Sequence, residues 1–305
     1  GGVVNVIDHR IPTTVPDETV HVDALATYGS AANERSLAAS VDVPLGGHFV
    51  AHADGSYLKS DDMRIGGYAL TPALRAQALA TAALPPDPAA EPIDYAANAA
   101  VKGTLPNTAA KTWTAGAGLA YIADDFNIGV SYGHYDSLYG VPIRFATQPG
   151  EGQEAPRLSL VQDRFDARVE VNTGGSVIDK IRLRYGYAKY HHFELGADGS
   201  IGTAFYNTGH EARLELAQAK HGAWSGATGA QFFTRDFNVI GDEAFLPKNR
   251  TSQFGLFTLQ QLDYGTLKFE AGARYERTDL TSEPLASQPQ FFGGKRQFDA
   301  VSGSL

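Results

Sequence analysis

The chain has 305 residues, a formal net charge of −9, a sequence pI near 5.4, 43% hydrophobic residues and no cysteine. Nowhere do its apolar residues approach the run of about 18 that a spanning helix requires, so a helical membrane protein is excluded and any membrane role falls to β-strands. Disulfides, thiolate metal sites and a cysteine nucleophile are excluded with cysteine itself, and the scattered Lys and Arg form no nucleic-acid footprint.

With 33 Gly, 14 Tyr, 16 Phe and a single Met, the composition is that of strands and turns rather than packed helices. The first residues hold neither an initiator Met nor a basic leader, which reads as a processed chain or a fragment. Residues 3–7 are β-branched and predict a short strand; Ile11-Pro12 through Val15-Pro16 then predict an extended connection, since a residue before Pro avoids the helical region.

From Asp17 onward, segments of about ten residues alternate apolar and polar with period two. Strands are expected near 18–29, 34–43, 48–59, 111–122, 126–138, 157–171, 178–193, 203–218, 223–237, 252–262 and 267–278, with another beginning at 297–304. In 267–276, Leu267, Phe269, Ala271, Ala273 and Tyr275 alternate with Lys268, Glu270, Gly272, Arg274 and Glu276. Trp113, Ala115, Ala117 and Leu119 likewise oppose Thr112, Thr114, Gly116 and Gly118, and in 161–171 Asp163 is the one polar residue of the apolar face.

Alternation alone fits a soluble sandwich as well as a lipid-facing barrel. Every second connection is short, as at Pro44-Leu45-Gly46-Gly47, Ala123-Asp124-Asp125, Lys220-His221-Gly222 and Asp263-Tyr264-Gly265, whereas the long ones, 60–110, 139–156, 238–251 and 279–296, fall between them. That one-sided asymmetry predicts an all-β, antiparallel transmembrane barrel of outer-membrane type, with aromatics at the membrane interfaces: Tyr57, Trp113, Tyr121, Tyr132, Tyr187, Trp224 and Phe233. Within 60–110, a short helix is expected over Ala73 to Ala83, started by Thr71-Pro72 and stopped by Leu84-Pro85-Pro86-Asp87-Pro88.

Gly1-Gly2-Val3-Val4-Asn5-Val6-Ile7-Asp8, followed by Arg10-Ile11-Pro12, resembles the end of the plug domain of TonB-dependent outer-membrane receptors. A narrower likeness is to the branch that includes zinc-uptake receptors, through Tyr57-Leu58-Lys59-Ser60-Asp61-Asp62, Gly129-Val130-Ser131-Tyr132 with Tyr139-Gly140-Val141-Pro142, Tyr190-His191-His192 and Phe205-Tyr206-Asn207-Thr208. The resemblance implies a barrel of about 22 strands, of which 11–12 lie here. Residues 1–16 would be the end of the plug and its linker, 17–305 the N-terminal half of the barrel, and 60–110 a large extracellular loop. It also implies active uptake of a scarce ligand (a metal ion, a metal chelate such as a siderophore, or a small organic nutrient) across the bacterial outer membrane. The partners implied are a TonB-type energy-transducing complex, reached through the plug, and outer-membrane lipid.

Ligand contacts are expected at His134 and Asp136, which share a strand face, and at His191 and His192, where imidazole suits a divalent metal. Adjacent strand residues point to opposite faces, so His191 and His192 would hold one ion only where the strand has ended. Ile143-Arg144-Phe145-Ala146 lacks the His and Asp richness of zinc receptors, which leaves an organic ligand or a chelate open beside zinc. No Gly-x-Ser-x-Gly elbow occurs, and the paired carboxylates Asp61-Asp62, Asp124-Asp125 and Asp242-Glu243 sit at turns, so no catalytic residue and no cofactor is expected and the chain does not read as an enzyme. The competing readings are a passive porin-type barrel and a soluble β-sandwich that binds carbohydrate or serves as structure.

Overall fold

The structure is a computed structural model describing residues 8–85, 92–241, 244–284 and 293–305; the strand expected at 3–7 and the acidic pair Asp242-Glu243 lie outside them. In chain order the elements are β1 (His21–Gly29), β2 (Glu34–Gly46), β3 (Phe49–Ser60), β4 (Met63–Tyr68), α1 (Pro72–Ala82), α2 (Tyr95–Ala100) and β5 (Lys102–Leu105). They continue as β6 (Ala110–Ile122), β7 (Phe126–Gly140), β8 (Arg157–Asn172), β9 (Ile178–Leu195), β10 (Ile201–Gln218), β11 (Trp224–Gly241), β12 (Asn249–Asp263), β13 (Lys268–Ser282) and β14 (Gly294–Ser304).

Twelve strands form one antiparallel meander, β1-β2-β3-β6 through β14, and β4-β5 is a separate hairpin. Each strand pairs with its neighbour in sequence once the 61–109 excursion is set aside, and the sheet is not closed: β1 and β14 each have a partner on one side only. A second sheet stacked on the first, which a sandwich needs to bury its apolar faces, is lacking among the described residues. The sandwich reading is therefore overturned.

Register sorts the side chains. Tyr57 opposes Trp113, Ala53 opposes Ala117, Leu119 opposes Val130 and Tyr132 opposes Phe165, so the apolar sets of successive strands share one face. That face stays open: Leu37 is 57% exposed, Leu119 41%, Leu183 42% and Leu256 48%. Large apolar side chains left uncovered row upon row have their natural medium in lipid. The opposite face carries His52, Gly118, Ser131, Asp166 and Gly186 in one row, and residues 10 and 11 lie against it, which makes it the lumenal side. Among the described residues no helix is long and apolar enough to cross a membrane.

Trp113 and Tyr121 bound the apolar stretch of β6. Eight residues at about 3.3 Å span roughly 26 Å, or about 20 Å after a tilt near 40°, close to the height of an outer-membrane hydrophobic band. At the lower limit Phe49 packs edge-on against Tyr121 at 5.1 Å. Six of the seven expected interface aromatics lie on the outward side; Phe233 does not, since it pairs with Glu211 and Gln253 on the lumenal face. Two phenylalanines stand side by side there, and register gives the outward place to Phe232, beside Ala212 and Phe254.

The short turns close with left-handed backbones at Gly222 (φ 58°) and Gly265 (φ 85°), which only glycine adopts without strain. The long connections gather at the other end. There α1 begins on Thr71, whose hydroxyl accepts from the Leu74 N–H, at the Thr71-Pro72 start the sequence implies, and α2 begins on the Asp94 carboxylate. The two helices dock onto the 141–156 connection: buried Asn98 donates to the Ala146 carbonyl at 2.9 Å and to Gln153 at 2.6 Å, and Thr81 donates to the Thr147 carbonyl. A polar clasp thus ties the expected helix to the long connection that follows β7.

Candidate lumenal site

After Asp8 the chain runs along the lumenal face, and three features hold it. Arg10 makes a two-pronged contact with Asp54, Nε to Oδ2 at 2.6 Å and Nη2 to Oδ1 at 2.8 Å. His52, two residues along the same face of β3, sits 2.9 Å from Asp42 and 3.4 Å from Asp54, so carboxylates flank it. From the far side Arg168 on β8 donates to the carbonyls of Ile11 and Pro12, both at 3.1 Å.

Beneath the segment, β6 and β7 supply a floor with no side chains. A Cβ on Gly118 would stand 1.7 Å from the Arg10 carbonyl oxygen, one on Gly116 2.2 Å from its Nε, and one on Gly129 2.3 Å from Ile11 Cγ2. The glycines are required because main chain and a guanidinium lie flat on the sheet. Gly116 faces Gly133 directly, so the floor spans both strands.

Further round the wall opposite charges pair across strands. Glu170 accepts from Lys180 at 2.8 Å and from Arg182 at 2.9 Å, and Arg182 also reaches Glu215 at 2.8 Å. One rung breaks the pattern: Arg168, Arg184 and Arg213 oppose one another directly across β8, β9 and β10. Like charges so placed are destabilising. Arg213 is relieved by Glu215 and by the Phe257 ring at 4.1 Å, and Arg168 by the Ile11 and Pro12 carbonyls. Nearer the end with the long connections, a concavity of about 410 Å³ is lined by Arg164, Tyr190, Asn207, Glu211, Phe233 and Arg235. The Asn207 Oδ1 is buried there without a protein partner. Guanidinium donors, an amide acceptor and aromatic walls suit an oxygen-rich organic ligand.

The four residues singled out as ligand contacts do not come together. His134 and Asp136 do share a face, but it is the outward one, in register with Ala115 and Trp113. His134 packs on Trp113 at 4.6 Å and pairs through Nδ1 with Asp163 at 2.8 Å; Asp163 also accepts from the Tyr132 hydroxyl. This accounts for the lone acid on an apolar face: it satisfies two belt residues. His191 faces outward beside Phe193, while His192 faces the lumen, stacked on Phe205 at 4.2 Å with Tyr190 hydroxyl 2.7 Å from its Nδ1. β9 continues to Leu195, so the strand does not end at the histidines and the pair does not converge on one ion. No cluster of three or more His, Asp or Glu suited to a metal occurs among the described residues. The residues that build the lumenal lock, Arg10, Asp54, His52 and Arg168, escape sequence reading; the available signal is the glycine set on the polar face of two paired strands.

Comparisons with known proteins agree with this geometry. Residues 102–305 match the family described as TonB dependent receptor-like, beta-barrel. Among solved structures, the copper transporter OprC superposes with a TM-score of 0.66 at 14% identity, over 93% of this chain and 41% of that one. The FrpB iron transporter from Neisseria meningitidis gives 0.68 at 13%, over 95% and 44%, and the ferric yersiniabactin uptake receptor FyuA from Yersinia pestis 0.60 at 12%, over 95% and 44%. The chain therefore spans less than half the length of these structures, and the likeness is one of fold. It belongs to the TonB-dependent receptor β-barrel family, whose place is the outer membrane of Gram-negative bacteria.

Proposed function

We propose that this chain is the plug-proximal half of a TonB-dependent uptake receptor, with residues 1–16 the end of the plug and its linker, 17–305 the N-terminal half of the barrel, and 60–110 a large extracellular loop. The observation that carries the reading is the course of residues 8–12: they run along the lumenal face, clamped by Arg10 to Asp54 and by Arg168, over a glycine floor with no other evident use. A passive porin has no need of a seat for an incoming segment. The receptor takes up a scarce ligand with energy delivered to the plug by a TonB-type complex.

The cargo that best suits the wall is a metal chelate or a small organic nutrient. Arg164, Arg235 and the buried, unpartnered Asn207 acceptor offer bonds to the oxygens of an organic shell. Zinc is the narrower form, resting on the motif likenesses; of the four candidate residues, His192 has the face from which to contribute. The test is uptake of radiolabelled ferric siderophores, zinc and copper at limiting concentration, in cells expressing the full-length receptor with and without TonB. Saturable uptake lost with TonB supports the reading; uptake that is linear in concentration and indifferent to TonB makes the protein a passive barrel.

A further inference from the structure

On the outward face, one row near the extracellular end is purely cationic. Arg35 on β2 pairs in register with Lys59 on β3, and Lys59 with Lys111 on β6. All three are exposed, and the row continues to Tyr28 on one side and Leu138 on the other, so no acid stands in it.

The acids nearby are engaged or apart. Asp61 accepts from Asn33, and Asp62 from the main-chain N–H groups of Thr108 and Ala109. Asp136, diagonal to Lys111, lies opposite Trp113 and makes no ion pair with it. Elsewhere on the same outward face cations do have acids beside them: Arg277 and Asp279 at 3.3 Å, Arg250 and Asp236 at 3.8 Å, and Lys189 opposite Asp163. Three directly opposed cations without an anion are a local cost to the sheet, so an external anion is the element that balances them.

Position identifies the anion. Two residues nearer the mid-plane, about 7 Å along the strands, lie Tyr57 and Trp113, the aromatic pair that marks the upper edge of the apolar band. Cations one step above an aromatic belt sit at the depth of lipid headgroups, where long side chains extend toward phosphate. Below the belt the same three strands present Ala39, Gly55 and Ala115, then Val41, Ala53 and Ala117. These small residues leave a shallow track, bounded on the β7 side by His134 and Tyr132, along which an acyl chain can lie.

We propose that Arg35, Lys59 and Lys111 form a binding site for the phosphate of an outer-leaflet lipid whose acyl chain runs down the β2-β3-β6 track. The experiment uses the full-length receptor in nanodiscs of phosphatidylcholine, with bis-phosphorylated lipid A or its dephosphorylated form added, and counts lipids retained by native mass spectrometry. The expected result is at least tenfold tighter retention of the phosphorylated form, lost in Arg35→Gln/Lys59→Gln/Lys111→Gln and kept in Lys59→Arg/Lys111→Arg. Equal retention of the two lipids by the wild type, a comparison that needs no variant, overturns the proposal. So does displacement by inorganic phosphate alone at equal concentration, which would reduce the row to a simple anion site.

Discussion

Replacing Gly118 by Ala tests the seat of the linker with a single methyl group. The added Cβ would lie 1.7 Å from the Arg10 carbonyl oxygen and 2.8 Å from its carbon. Both are main-chain atoms, so no side-chain rotation relieves the clash and the segment must lift by roughly 1.5 Å to reach ordinary contact. Contacts of 2.6 and 2.8 Å from Arg10 to Asp54 do not survive such a shift. Charge-assisted hydrogen bonds contribute about 1.5–3 kcal/mol and overpacking costs about 1–3; with water recovering the freed charges, a net loss of about 2–4 kcal/mol in docking is expected. The scissile bond for the assay is supplied by the lock itself, because trypsin cleaves after Arg10 and Ile11 is buried when the segment is seated. When reclosing outpaces cleavage, the rate follows the open population, so cleavage should accelerate by about 30- to 700-fold. Gly66→Ala, where nothing lies within 4 Å of the added carbon, is the control. An unchanged rate in Gly118→Ala would refute the lumenal course of residues 10 and 11.

Asn98→Ala removes the amide by which α2 donates to Ala146 and Gln153 and leaves the Ala146 carbonyl without that partner. It should cost about 1–3 kcal/mol locally and make the extracellular connections sensitive to protease on intact cells, with the heat-modifiable migration of the barrel unchanged. Within that connection Glu151 accepts from the Thr147 N–H and hydroxyl and from the Gln148 N–H, and the Thr147 backbone bond, the largest cause, holds its carboxyl below the usual range. A depressed folded value means that this stabilisation is present above the unfolded carboxylate value and is lost as pH falls through the folded one. The protection factor of the Thr147 amide, its exchange referred to the intrinsic rate at each pH, should therefore fall on acidification, and Glu151→Gln should remove that dependence. If the variant keeps the same pH profile, another group controls the loop.

The strands were legible because a lipid-facing row and a wet row leave a period of two in the sequence. Trp113 to Leu119 shows it without interruption, and the register of β6 with β7 follows it residue for residue. Where both faces are wet the signal vanishes: β11 runs to Gly241 and β12 starts at Asn249, each beyond the expected limits, through Asn238 and Arg250, which carry no alternation. The same limit applies to the site. His134 and Asp136 were placed correctly on one face, but parity does not tell which face is lumenal until a neighbour such as Gly133, under Arg10, fixes it. The lock joins residues 44 positions apart through a floor of glycines, and glycine on a polar face reads as weak strand until something is seen lying on it.

Residues 10–12 are bound at two points by strands that are not neighbours, Arg10 to β3 and Ile11-Pro12 to β8, so the segment bridges β3, β6, β7 and β8 across the lumenal wall. The two ends differ in kind. The Asp54 end is a charge pair with side chains 25% and 20% exposed, whereas the Arg168 end is one guanidinium shared by two neutral carbonyls. A pull arriving from the plug side loads Arg10 first and reaches Ile11 and Pro12 only after that pair has opened, so the stronger contact stands guard over the weaker. In a single-molecule pull on the residues preceding Asp8 of the full-length receptor, Arg10→Gln should lower the force at which the linker detaches, while Arg168→Gln should leave the first event nearly unchanged. The opposite ranking would mean that force enters at the β8 end. Arg168→Gln also removes one charge from the rung it shares with Arg184 and Arg213, so a small gain in sheet stability should accompany it. That contrast separates a residue retained for the linker from one retained for the wall.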